Sequence, residues 1–364
     1  MSNPFILGGA MLPHAPQFFT QPATEDKNTI AEVQKVAAQI GDGLKALAPD
    51  VWIMIGNDHA QQFFANVAPP FTLHVGGVGR GQFAGRDFRF NIASEIAFAL
   101  VKDFYRAGFD PAFTSSAEID YALGIPLTHL GVGEAPVLPI YVNAYLPPQP
   151  TMERCYAFGQ ALGRGLASLG VRAVVVASGG MSHFPGTDNY SNPALAFDLS
   201  VLEPLKEGRL KTLLGYEEKL LDATGNIELR CWGVAAGALG DRTPDIVQMN
   251  PSWHHNYASL GWFAPASEGA AASHALHYPQ IAPELQSLTS ALFDMANDRA
   301  SREAHLADPQ AYADKYHLEG RHRKLLIDFD APGIVAAGVH PLLIFLVRMH
   351  VERERGVKGG AAKA

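Results

Sequence analysis

The chain has 364 residues, room for one large domain with an appendage or for two domains at roughly 150 residues each. Apolar residues make up 48% and charged residues 18%, which excludes intrinsic disorder and coiled coil as descriptions of the whole. A net charge of −8 supplies no basic field for a phosphate backbone, so no nucleic-acid partner is expected. Cys155 and Cys231 make neither a disulfide framework nor a metal knuckle, which fits a reducing compartment. Met1 to Ala10 lacks a basic n-region, and no apolar run approaches the roughly 18 residues of a membrane span. A cytoplasmic protein with no membrane partner is therefore expected. The feature that points toward chemistry is the 14 histidines, since imidazole is a common ligand and proton carrier near neutral pH.

Phe5 to Leu12 reads as a buried strand ending in the loop Pro13-His14-Ala15-Pro16. Ile30, Val33, Ala37, Ile40, Leu44 and Leu47 recur at helical steps after Thr24 and Glu25 as start signals, giving an amphipathic helix of about five turns. Val51 to Gly56 is a strand running into Asn57-Asp58-His59. Gly76 to Gly81 holds too many glycines for an ordinary turn and lacks the context of a dinucleotide fingerprint, so it reads as a flexible loop. Ile92 to Phe104 is a helix, Val137 to Val142 a strand, Tyr156 to Leu169 a helix, and Arg172 to Ala177 a strand leading into Ser178-Gly179-Gly180-Met181-Ser182-His183. This alternation predicts an α/β fold: a central mixed or largely parallel sheet flanked by helices.

A helix-rich stretch from Leu195 to Leu239 breaks at Thr224-Gly225-Asn226, with Glu228 in the first turn of the next helix. Composition turns to Ala, Gly, Ser and Pro over 264–272, and a domain boundary is placed near 265–285. Beyond it, 283–299, 309–316, 320–329 and 340–354 read as helices of a small all-helical C-terminal domain, followed by a frayed tail over 359–364.

His14, His59 and His183 each follow a predicted strand in a short loop. Ligands of open α/β sheets bind beyond the carboxyl ends of strands, so these loops can bring the three imidazoles to one crevice. Separations of 45 and 124 residues exclude any local metal motif. Two neutral imidazoles and one carboxylate make the facial triad of a non-haem Fe(II) oxygenase. Asp58, Asp120 and Glu228 are the candidate carboxylates, and spacing alone does not choose among them. The cluster Trp253-His254-His255-Asn256-Tyr257 reads as a loop packed by its rings.

Four segments in order, MLPHAP around His14, IGNDHAQQF around His59, VVVASGGMSHFPG around His183 and GNIELRCWGVAAGAL around Glu228, resemble the class III (LigB-type) extradiol ring-cleavage dioxygenases over roughly residues 5–265. The resemblance implies Fe(II) held by His14, His59 and Glu228, with His183 as the active-site acid/base. The family usually has Asp-His-Gly before Val-Pro-Leu, whereas this chain has Asp120-Tyr121-Ala122 before Ile125-Pro126-Leu127. Tyr121 is accordingly expected to serve as a catalytic hydrogen-bond or proton donor, since a phenol of pKa near 10 is a poor base at pH 7. Residues 285–350 are similar to the small helical subunit of protocatechuate 4,5-dioxygenase, here fused as in gallate dioxygenases. The domains implied are a catalytic one over 1–265 and a helical one over 285–364.

These features together imply an Fe(II)-dependent dioxygenase that opens an aromatic ring bearing vicinal hydroxyls with O2. Its substrate is expected to be protocatechuate- or gallate-like, or dihydroxypyridine-like. The alternatives are a zinc-dependent hydrolase on the same scaffold and a non-catalytic LigB-like binding protein. A homodimer is expected, because Leu342, Leu343, Phe345 and Leu346 give the last helix a face too apolar for a solvated end.

Overall fold

The structure is a computed structural model that describes residues 3–59, 61–63, 67–263 and 282–354. The chain divides into two compact units, Met1–Ala271 and Ala272–Ala364. The expected boundary composition at 264–272 and the tail at 359–364 lie outside the described residues.

In the first unit the elements run β1 (Ile6–Leu12), α1 (Gln17–Thr20), α2 (Lys27–Ala46), β2 (Val51–Gly56), β3 (Phe71–His74), β4 (Val78–Phe83), β5 (Arg86–Asn91), α3 (Ser94–Arg106), β6 (Ala112–Thr114), α4 (Tyr121–His129), β7 (Val137–Val142), α5 (Met152–Leu169), β8 (Ala173–Ser178), α6 (Leu195–Lys206), α7 (Glu218–Ala223), α8 (Leu229–Leu239), β9 (Ile246–Asn250) and β10 (Tyr257–Trp262). Eight strands form one sheet in the order β6-β3-β7-β2-β8-β1-β10-β9. Its four central strands, β7, β2, β8 and β1, are all parallel, while β3 meets β7, and β10 meets β1 and β9, in antiparallel fashion. The sheet is therefore mixed, with a parallel centre, as the alternating pattern predicts.

The central strands are apolar on both faces because helices cover both. Along β2, Ile53 and Ile55 enter the core beneath α3, α5 and α8, while Trp52 and Met54 enter the core beneath α2 and α4. This two-sided burial is why VWIMIG reads as a continuous run rather than an alternation. Helix α2 buries the expected stripe Ile30, Val33, Ala37, Ile40 and Leu44, but its cap is Asp26, which accepts from the Asn28 amide. Glu25, read as a start signal, instead turns inward and is buried.

Helix α8 is buried along its whole length. It crosses α5 at backbone contact: a Cβ on Gly237 would lie 2.0 Å from the Tyr156 carbonyl oxygen, so only glycine permits this approach. Glu228 sits at the N-cap of α8, immediately before its first turn rather than inside it. Reading Gly76 to Gly81 as a flexible loop is corrected: Val78–Phe83 is β4, paired throughout with β5 in a hairpin. Its small residues serve packing, since a Cβ on Gly81 would meet the Ile119 carbonyl oxygen at 2.1 Å.

The second unit consists of α9 (Gln286–Asn297), α10 (Arg299–Ala307), α11 (Pro309–Lys315), α12 (Gly320–Ile327), α13 (Ala331–Ala336) and α14 (Pro341–Glu354). It has its own core, built around Leu288, Leu292, Met295, Tyr312, Leu326 and Val347. Asp298 and Asp308 cap α10 and α11, which explains the close succession of short helices there. No helix among the described residues is long and apolar enough to cross a membrane.

Candidate metal centre

All four parallel strands release their site residues at the same end of the sheet. His14 follows β1, His59 follows β2, Tyr145 follows β7, and His183 follows β8. Register brings these ends level, with Leu12 beside Ser178 and Gly56 beside Tyr141. Glu228 reaches the same place from the start of α8.

One ligand atom each from His14, His59 and Glu228 lie within 4.8 Å of one another. His14 Nε2 is 3.2 Å and His59 Nε2 3.8 Å from Glu228 Oε1. Every one of the three is held by a further partner. His14 Nδ1 lies 2.7 Å from Ser178 Oγ, and His59 Nδ1 donates to Asp120 Oδ1 at 2.8 Å. Glu228 Oε2 accepts from the Gly180 amide at 2.8 Å, and Oε1 accepts from the Tyr145 hydroxyl at 3.0 Å. The Nε2 atoms and Oε1 are thus left facing a common point, and a buried set of two imidazoles and a carboxylate fits a divalent metal ion.

Electrostatics keep the carboxylate charged. Burial alone would raise the Glu228 carboxyl, but the imidazoles of His14 and His183, the His14 hydrogen bond and His59 together hold it well below the usual range. Burial alone would lower His59, yet the hydrogen bond and charge of Asp120 raise it, making the imidazole more basic. Asp120 lies lower than an ordinary carboxyl despite its burial, because His59 pairs with it. Of the three candidate carboxylates, then, Glu228 joins the cluster, Asp120 orients His59, and Asp58 caps the turn at Gln62 and Phe63 and lines the cavity above.

His183 lies beside the cluster, its Nε2 3.9 Å from Glu228 Oε1. Its Nδ1 donates to the Met181 carbonyl at 3.0 Å, which leaves the Nε2 lone pair facing inward. The ring stacks on His255, centroids 4.1 Å apart and planes 10° from parallel. Behind this loop the buried Asp198 accepts from the Ser182 amide and hydroxyl and from the side-chain amides of Asn226 and Asn256. That single carboxylate ties together the segments leading to His183, Glu228 and His255. Tyr121 opens α4 and stacks on His59 at 4.1 Å, and burial pushes its phenol well above the ordinary range.

Tyr145 is the residue that sequence reasoning missed. Its hydroxyl donates to Glu228 Oε1, and its oxygen lies 3.4 Å from His183 Nε2. The rule that selected the histidines, a polar residue shortly after a central strand, applies equally to it. Above the cluster opens a cavity of about 390 Å³, room for one small aromatic ring. His254 and His255, from the ring-packed loop, form part of its wall.

A parallel-centred α/β sheet with two imidazoles and a carboxylate at its carboxyl edge defines a metal-site class of protein. The chain belongs to the LigB family, described as the catalytic LigB subunit of aromatic ring-opening dioxygenase, which matches residues 8–261. It is similar to the 2,3-dihydroxyphenylpropionate/2,3-dihydroxicinnamic acid 1,2-dioxygenase of Cupriavidus necator, at 31% identity over 177 residues, covering 48% of this chain and 56% of that one. The protein of the same name from Klebsiella pneumoniae (strain 342) is 32% identical over 162 residues, covering 44% and 52%. The chain thus spans about half the length of the curated relatives it matches.

Proposed function

We propose that this chain is an Fe(II)-dependent extradiol dioxygenase that opens an aromatic ring bearing vicinal hydroxyls, both atoms of O2 entering the product as one ring bond beside the diol breaks. The observation that carries this reading is the convergence of His14, His59 and Glu228 below a cavity walled by a non-converging His183. Family membership and the names of the relatives support it. His14, His59 and Glu228 would hold the iron, which supplies acidity to the bound diol and a route for electrons to O2.

The remaining work falls to the protein. His183 Nε2 takes a diol proton and later returns it, which an imidazole can do in both directions. The Tyr145 hydroxyl donates to Glu228 and fixes the carboxylate, with His183 Nε2 beside its oxygen. Tyr121 remains protonated at neutral pH and acts toward substrate as a donor. Ser178 and Asp120 fix the ring orientations of the two histidines.

The unit assignments follow the same reading: residues 1–265 catalyse, and the helical segment 285–364 is an accessory domain. Leu342, Phe345 and Met349 are exposed along one side of α14, an apolar stripe that supports a homodimer. Cys155 and Cys231 are buried free thiols, consistent with a cytoplasmic setting.

The test is anaerobic loading with Fe(II), addition of a catechol, and admission of labelled O2. A product heavier by both oxygen atoms, with one O2 consumed per ring, is expected. Turnover with zinc and no O2 uptake would establish the hydrolase instead, and diol binding without any consumption of O2 would establish a binding protein.

A further inference from the structure

Asp198 is buried on α6, outside the lining of the cavity, and no step described above uses it. Its carboxylate is nevertheless filled by donors from three separate loops. Oδ1 accepts from the Asn226 side-chain amide at 2.9 Å. Oδ2 accepts from the Asn256 side-chain amide at 2.7 Å and from the Ser182 hydroxyl at 2.5 Å, and the Ser182 backbone amide reaches both oxygens at 3.2 Å. All of these groups are donors, so a neutral amide in place of the carboxylate would set one NH2 group against another.

Each donor stands beside a site residue. Ser182 precedes His183, Asn226 comes two residues before Glu228, and Asn256 follows His255, whose ring stacks on His183. The Asn226 carbonyl also accepts from the Leu229 amide at 3.1 Å, so its placement sets the turn from which Glu228 projects. Backbone bonds close the loops on one another: the Met181 amide donates to the Asn256 carbonyl at 3.2 Å, and the His183 amide to the Gly225 carbonyl at 3.1 Å. A Cβ on Gly225 would lie 2.5 Å from the His183 carbonyl oxygen, so only glycine lets these two loops meet. In such a buried junction, shifting any one donor leaves charge unsatisfied, which holds all of them to one geometry.

We propose that Asp198 is a positioning residue that places the acid/base and a metal ligand by two separable arms. Through Ser182 it sets His183 against the substrate, and through Asn226 it sets Glu228 against the metal. The inference rests on the ring-cleavage reading above and goes beyond it, assigning a role to a group behind the site. Because the arms leave the carboxylate by different donors, each can be cut alone, and each cut has its own signature. Loss of the Ser182 hydroxyl loosens proton transfer, while loss of the Asn226 amide loosens the carboxylate that holds the ion.

The test compares the unaltered full chain with Ser182→Ala, Asn226→Ala and Asp198→Asn. Fe(II) affinity by anaerobic titration, O2 uptake with a panel of catechols and the thermal midpoint are measured for each. Ser182→Ala is expected to lower kcat about 10–100-fold while iron affinity and KM stay within about twofold. Asn226→Ala is expected to weaken iron binding about 10–100-fold and to recover most of kcat at saturating iron. Asp198→Asn should show both losses, and if it fails to fold the two single-arm variants decide. A purely structural carboxylate would instead lower kcat and iron affinity together, in step with the thermal midpoint, and that result overturns the proposal. Variants indistinguishable from the unaltered chain overturn it as well, with ring cleavage intact. An unaltered chain that binds iron but consumes no O2 with any catechol removes the ring-cleavage reading, and this inference with it.

Discussion

At the inner end of the cavity each candidate ligand is locked by a further buried partner: His14 by Ser178, His59 by Asp120, and Glu228 by the Gly180 amide and Tyr145. Along the cavity wall Gln17 keeps a buried oxygen with no partner, and Asp58, whose carboxylate accepts from the Gln62 and Phe63 amides, is part of the lining. The contrast separates two tasks. A metal site needs its donors oriented before the ion arrives, because each rotamer left free must be ordered on binding. A substrate wall must instead leave hydrogen-bonding capacity for the ligand to complete.

The largest effects belong to the inner end. His14→Ala, His59→Ala or Glu228→Ala should abolish stoichiometric iron and ring cleavage together, as read by metal analysis and O2 uptake. Iron retained at full occupancy in any of these variants would detach that residue from the cluster. Next comes His183→Gln, which should keep iron and bind diol yet lose about 10²–10⁴ in turnover, the span of a general acid/base. Loss of iron would make His183 a ligand.

Smaller effects sharpen the boundary between the two ends. Asp120→Asn keeps the shape but removes the charge that raises His59, so metal affinity should fall about 10–100-fold without loss of the fold. Tyr121→Phe removes one hydroxyl at the junction of floor and wall. A fall in kcat/KM of about 2–10-fold at unchanged thermal stability is expected, equivalent to one hydrogen bond of roughly 0.5–1.5 kcal/mol. Unchanged kinetics would show that Tyr121 acts only as a ring stacked on His59.

How much of this could be read from the sequence follows the same division. Strands buried on both faces announce themselves as apolar runs, so Val51–Gly56 and Val137–Val142 have the bounds expected of them. The hairpin β4–β5 was misread because its signal is glycine, and glycine that serves close packing looks like glycine that serves flexibility. The edge strand β9 is half-buried throughout and carries no alternation to find. In the site, chain position flagged the histidines, while the roles of Asp120 and Ser178 depend on a pairing across strands that no local spacing encodes. Tyr145 was legible by position and passed over for its residue type. The C-terminal helices were visible as periodic segments, but α10 and α13 are short and polar or Gly/Pro-bearing, and only their caps betray them.

The most direct test of the central claim is anaerobic titration of Fe(II) into the unaltered protein and into His59→Ala, followed by X-ray absorption at the iron edge. One tightly bound equivalent with nitrogen and oxygen donors at about 2.0–2.3 Å is expected, by analogy with tabulated zinc distances, and no such equivalent in the variant. An unaltered protein that binds no iron tightly, or a variant that binds it equally well with the same spectrum, would contradict a centre built from His14, His59 and Glu228.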